Sequence, residues 1–148
     1  MAARSQMLRD FVPIGVLNGL IFLSFGLLSL AEGLSLPQTL VASALIYSSP
    51  LQILLVQNLQ DGAALVPVIL ALNARFALMT ASLMPYIAPG GRMRPAAWAH
   101  LIVPSILSVC LSTFRRGHDD PVRYFRIMGA WLFAVAVIAT GIGYIGTP

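Results

Sequence analysis

Residues 63–87 read AALVPVILALNARFALMTASLMPYI. The run is long and apolar enough to cross a hydrocarbon core, which takes about 20 residues of helix. Asn73 and Arg75 stand in its middle. An arginine at that depth costs about 3 kcal/mol on insertion scales. Such a side chain faces a bundle interior or a watery cavity rather than acyl chains, and is a functional candidate.

Composition agrees with a membrane class. Of 148 residues, 58% are hydrophobic and 9% charged, with no lysine; mean hydropathy is +0.86. Long apolar stretches with few charges indicate spans. The length suits one transmembrane domain over residues 1–148, with no soluble module. A net charge of +4 raises nucleic acid as a partner. That class is excluded because the arginines cluster between apolar segments, where they set topology. Cys110, the single cysteine, can form no internal disulfide and has no metal-ligand spacing. The first apolar run is about 20 residues long and lacks a cleavage pattern, so no signal peptide is read.

Five segments qualify as spans: residues 11–31, 37–59, 62–87, 96–114 and 124–146. Helices are required, because an open sheet edge in lipid leaves backbone groups unpaired. The expected fold is all-α: a polytopic membrane helix bundle with broken helices and about five spans. Arg4, Arg9, Arg115, Arg116, Arg123 and Arg126 fall on one side, against Arg92 and Arg94 on the other. The bias places the N-terminus in the cytoplasm. Arg92 and Arg94 dissent, and a re-entrant break of the third segment near Asn73 would accommodate them.

The spans carry interruptions. The second holds the knot Tyr47-Ser48-Ser49-Pro50-Leu51-Gln52. Pro50 lacks a donor and clashes with the preceding turn, so it kinks or breaks a helix. Freed backbone groups at membrane depth are tolerated only in a protein interior or a water-filled cavity. Secondary transporters build midplane solute sites from such breaks. Ser48, Ser49 and Gln52, with Asn73 and Arg75, are therefore the candidate substrate-binding residues. The competing reading of the knot is interhelical hydrogen bonding. Arg75 has three readings: a carboxylate ligand through its planar fork, a clamp on helix carbonyls, or a side chain snorkelling to an interface.

Other features carry less. Gly15 and Gly19 make a GxxxG pair, expected to serve helix packing. Gly141, Gly143 and Gly146 match GxGxxG, but no strand precedes them, so helix packing is expected there too. His100 is read as structural ahead of proton relay. His118, Asp119 and Asp120 are read as a solvated charge cluster. HExxH and GxSxG are absent, so intramembrane hydrolysis has no support and no enzyme, metal or cofactor is expected.

A family resemblance emerges from the same residues. Ser43-Ala44-Leu45-Ile46-Tyr47-Ser48-Ser49-Pro50-Leu51-Gln52 resembles the "S-x-x-x-F-A-G-x-x-Q" stretch of the AzlC family. Those proteins are the large subunits of bacterial branched-chain amino acid exporters. Asn73-Ala74-Arg75-Phe76-Ala77-Leu78-Met79-Thr80-Ala81-Ser82-Leu83-Met84-Pro85 resembles its "N-L-R-H-x-L-x-x-x-S-L-x-P" stretch. Pro13-Ile14-Gly15, Phe25-Gly26 and Glu32-Gly33-Leu34-Ser35 fit its opening, and Gly129-Ala130-Trp131 continues the likeness more weakly. The resemblance runs over essentially the whole chain but roughly the first two-thirds of a typical member, which implies a C-terminus short for the family.

The resemblance implies a multi-pass inner-membrane permease domain that exports branched-chain or other apolar amino acids. It also implies a small hydrophobic partner of the AzlD type; a homo-oligomer is the alternative. Ser43, Ser49, Gln52, Asn73 and Arg75 match recurring polar positions. Three departures stand out. Tyr47-Ser48-Ser49 replaces "F-A-G", Phe76 replaces a histidine, and Val103-Pro104-Ser105 stands where the family has an acidic "T-D-E". The missing acids and short tail keep two further readings open, a non-transporting subunit of a larger permease assembly and a small-solute channel.

Overall fold

The computed structural model describes residues 2–58, 62–88, 100–117 and 119–146, with the side chains of 2–8, 62–65, 69 and 73 outside that description. The described residues are helical, with no strand among them. The helices are α1 (Ala2–Ala31), α2 (Leu36–Ile46), α3 (Ser49–Gln57), α4 (Gly62–Ile87), α5 (Pro104–Arg115) and α6 (Pro121–Ile145).

Of these, α1, α4 and α6 contain segments long and apolar enough to span a bilayer: Arg9–Ala31, Val66–Ile87 and Pro121–Ile145. The second and fourth expected spans look different. The described part of the second forms two short helices, α2 and α3, rather than one kinked helix. In the fourth, the described helix is the 12-residue α5; residues 89–99, with Arg92 and Arg94, lie outside the described residues. The third differs in the opposite sense. α4 runs unbroken through Pro67, Asn73 and Pro85, so the re-entrant break expected near Asn73 is not there. Its apolar neighbours supply the regular backbone ladder that lipid demands.

The chain divides into two compact units, residues 1–68 with 132–148, and residues 69–131. In the first unit, α1 ends in a Schellman turn. Gly33 takes φ 79°, its N–H donates to the Leu30 carbonyl at 3.0 Å, and the Leu34 N–H donates to Ser29 at 2.9 Å. Ser35 then starts α2, its N–H and its hydroxyl both donating to Gln38 Oε1 at 2.8 and 2.9 Å. Tyr144 ties α6 to this turn by donating its hydroxyl to the Leu34 carbonyl at 2.8 Å.

Glycines bring α1 and α6 together at backbone distance. A Cβ on Gly26 would overlap the Thr140 carbonyl, and one on Gly143 would overlap the Leu23 carbonyl. Small residues at such crossings let helices gain dispersion contacts, since lipid supplies no hydrophobic drive between helices. Gly143 meets the expectation for the C-terminal glycines. Of the GxxxG pair, Gly15 is buried, and a Cβ on Gly19 would meet Val135 at an ordinary 3.5 Å.

In the second unit, Leu83 and Ile87 of α4, Ile106 and Cys110 of α5, and Phe125 and Met128 of α6 are buried. Phe114 joins the elements, with ring centroids 5.5 Å from Tyr86 and 6.0 Å from Tyr124. Outward faces are apolar in both units: Val16, Leu17 and Leu20 on α1, Leu78 on α4, Ile138 and Ile142 on α6 are exposed. Exposed hydroxyls are turned onto their own helices, Ser24 to the Leu20 carbonyl and Ser82 to Leu78, both at 2.9 Å. That is how a helix satisfies a hydroxyl where no water competes. The protein is a polytopic helical membrane protein.

Candidate functional site

The break between α2 and α3 follows from one residue. The ring of Pro50 would collide with the carbonyl four residues back, that of Ile46. α2 ends at Ile46. Tyr47 then turns left-handed, with φ 43° and ψ 39°, and Ser48 is extended, with φ −141° and ψ 98°. A positive φ on an aromatic residue costs about 1–3 kcal/mol and persists only where its surroundings hold it. Here two rings do so. Tyr47 is buried, with Phe22 of α1 at 5.8 Å and Phe133 of α6 at 5.2 Å between centroids, the latter edge-on.

The helical ladder of α3 begins where the Gln52 N–H donates to the Ser48 carbonyl at 2.9 Å. The N–H groups of Ser49 and Leu51 precede it, and Pro50 between them has none. The positive end of the α3 dipole therefore lies at the break, beside the buried Tyr47 and Ser48, where low exposure to solvent strengthens its field.

Gln52 is fully buried. Its Nε2 donates back across the break to the Ala42 carbonyl at 3.1 Å. Its Oε1 is buried with no hydrogen-bond partner among the described residues. The amide is thus half-used: the donor side staples the break, and the acceptor side is open to a donor.

Further buried hydroxyls line the first unit. Ser43 and Thr140 lie 2.9 Å apart, and Thr140 also donates to the Ala136 carbonyl at 2.9 Å. Ser29 Oγ is buried with no partner among the described residues. Ser48 is buried and Ser49 half-buried. Asn18 donates to the Leu132 carbonyl at 3.4 Å. Thr140 and Ser29 went unnoticed in the sequence because each is a single small hydroxyl in an apolar run. The one local signal at Thr140 is the glycine that follows it.

Three of the five expected site residues, Ser48, Ser49 and Gln52, are thus brought together at the break. Arg75 belongs to the second unit. It is half-buried, with its guanidinium carbon 5.1 Å from the centroid of the Phe76 ring. That geometry is a cation–π contact. The Asn73 side chain lies outside the described residues. His100 is exposed, and His118 lies outside the described residues. Asp120, from the expected charge cluster, caps α6, its Oδ1 accepting the Arg123 N–H at 3.0 Å.

Residues 13–147 match the AzlC protein family, and the chain belongs to that family. No curated protein and no solved structure matches it.

Proposed function

We propose that this AzlC protein is a permease that exports branched-chain or other apolar amino acids across a bacterial inner membrane. The family is one of membrane transport components rather than enzymes. The observation that carries the finer reading is the open acceptor of Gln52. Leaving a buried acceptor unmade costs about 1–3 kcal/mol, which a ligand's donor would offset.

A zwitterionic amino acid fits the chemistry of the break. Its ammonium donates to Gln52 Oε1, with the Ser48 hydroxyl beside it. Its carboxylate takes the N–H groups of Ser49 and Leu51 at the start of α3. Its aliphatic side chain meets apolar neighbours such as Leu51. A methylene more or less in such surroundings is worth about 1–3 kcal/mol, so discrimination among leucine, isoleucine and valine is soft. Asn73 and Arg75 enter the proposal through chemistry alone: an amide, and a planar fork that matches a carboxylate. We propose further that residues 1–148 act as a single permease domain with a cytoplasmic N-terminus, and that a small AzlD-type membrane subunit or a second copy completes the assembly.

Counterflow of labelled leucine into liposomes tests the reading, with the chain alone and with a small hydrophobic partner. Saturable exchange of leucine, isoleucine and valine is expected, with KM raised in Gln52→Leu. An unchanged KM in that variant removes the break from the site. Flux that shows no counterflow makes the protein a channel. Flux that requires the partner makes it a subunit of a larger permease.

A further inference from the structure

A second polar feature lies at the start of α6, in the other unit. An open surface depression of about 560 Å³ lies there, lined by Asp120, Val122, Arg123, Arg126, Ile127 and Ala130, most of them exposed. We infer that it holds the phosphodiester headgroup of an anionic phospholipid, with Arg123 and Arg126 binding the phosphate and Ile127 and Ala130 beneath an acyl chain.

The helix places these residues deliberately apart from the core. At 3.6 residues per turn, Arg123, Arg126, Ile127 and Ala130 fall within an arc of about 100°. Arg123, Arg126, Ile127 and Ala130 are exposed, while Tyr124, Phe125 and Met128 on the opposite face are buried. The arc therefore runs from charge to grease along one line, basic for the first turn and apolar for the next. A phospholipid presents the same order, phosphate and then hydrocarbon.

Charge decides the sign of the headgroup. Arg115 and Arg116, exposed at the end of α5, add to the positive charge of the same unit. Asp119 and Asp120 oppose them, and Asp120, which lines the depression and caps α6, keeps its negative charge. The balance is positive, and all four cations are guanidinium groups, whose fork matches phosphate oxygens. Basic pockets beside membrane helices bind anionic headgroups in this way, each arginine contributing about a five-fold preference.

The test uses the full chain in detergent micelles doped with dioleoyl phosphatidylglycerol or dioleoyl phosphatidylcholine. Retained lipid is read by native mass spectrometry, and the melting temperature is read in parallel. Phosphatidylglycerol is expected to be retained and to raise the melting temperature above that in phosphatidylcholine. R123Q/R126Q is expected to weaken retention roughly thirty-fold while melting as wild type in phosphatidylcholine. Equal retention of the two lipids, or unchanged retention in R123Q/R126Q, overturns the site. So does an equal loss in R115Q/R116Q, which would reduce the effect to diffuse attraction. Competition by soluble glycerol 3-phosphate at matched concentration would make it a site for free phosphate and overturn the lipid assignment.

Discussion

Gln52 donates its side-chain amide to the carbonyl of Ala42 at 3.1 Å, across the gap between two half-helices. The bond closes a break that Pro50 opens, and it orients the opposite end of the amide, Oε1, as an open acceptor. Holding the break and offering the acceptor are separable. Gln52→Glu, ionised, keeps an acceptor, loses the donor and buries an unpaired charge. Gln52→Leu loses both donor and acceptor. Gln52→Leu should unfold more easily by about 1 kcal/mol, the worth of one such bond, and Gln52→Glu by several kcal/mol. Only Gln52→Leu should also raise the KM for leucine, by roughly ten-fold for a lost bond to a charged group. Parallel melting curves and counterflow kinetics check the split.

Tyr47 holds a left-handed backbone between two aromatic rings. Tyr47→Phe keeps the rings and should change stability by less than about 1 kcal/mol. Tyr47→Ala removes them and should cost about 3 kcal/mol, in line with emptying an aromatic core position. Tyr47→Gly relieves the positive φ and should be less damaging than Tyr47→Ala, by roughly 1 kcal/mol. The order Phe, Gly, Ala in melting temperature is the check. An alanine variant more stable than the glycine one would show that the backbone conformation there carries no strain.

The α1–α6 crossing depends on two glycines. Gly26→Ala and Gly143→Ala each drive a methyl into a backbone carbonyl, Thr140 and Leu23 respectively. Backbone cannot rotate aside as a side chain can, so each should cost about 1–3 kcal/mol. Gly19→Ala meets only Val135 at 3.5 Å and should be neutral or slightly stabilising. Thermal denaturation in one detergent orders the three, and a destabilised Gly19→Ala would contradict the assignment.

Ser43 and Thr140 form a buried hydroxyl pair. Thr140 keeps a second bond to the Ala136 carbonyl, so Ser43→Ala leaves it satisfied. Thr140→Val strands the Ser43 hydroxyl. The Thr140 variant should therefore be the more destabilising. A double-mutant cycle should return a coupling of about 0.6 kcal/mol, the average for such bonds in membrane bundles.

Arg75 separates chemistry from position. Arg75→Lys keeps the charge and loses the fork and most of the stacking on Phe76. If the guanidinium serves the transported carboxylate, Arg75→Lys and Arg75→Ala both reduce leucine counterflow, alanine about ten-fold more. Wild-type flux in a folded Arg75→Ala would remove the arginine from the transport route.

Much of the architecture was legible beforehand because membranes impose simple rules. Apolar runs of span length can only be helices, so α1, α4 and α6 were readable from hydropathy. Pro50 announced a disruption through a missing donor and a ring too close to Ile46. The candidate residues at the knot were legible for the same reason, since polar groups stand out against leucine and alanine. A re-entrant break near Asn73, which would have accommodated Arg92 and Arg94, is absent: α4 runs unbroken there. A polar side chain does not interrupt the backbone ladder as a proline can, and even Pro67 and Pro85 are absorbed by α4.

Residue order alone was thus enough for the class of protein, the helical character and the place where the second span is severed, because those depend on a residue and its near neighbours in the chain. Three things needed the folded molecule: that Gly143 and Gly26 bring helices together at backbone distance while Gly19 does not, that Thr140 answers Ser43, and that Gln52 spends its donor on Ala42 while keeping its acceptor open. Each joins groups carried by separate helices or opposite sides of a break, and no periodicity within one helix records which face of another will come to rest against it.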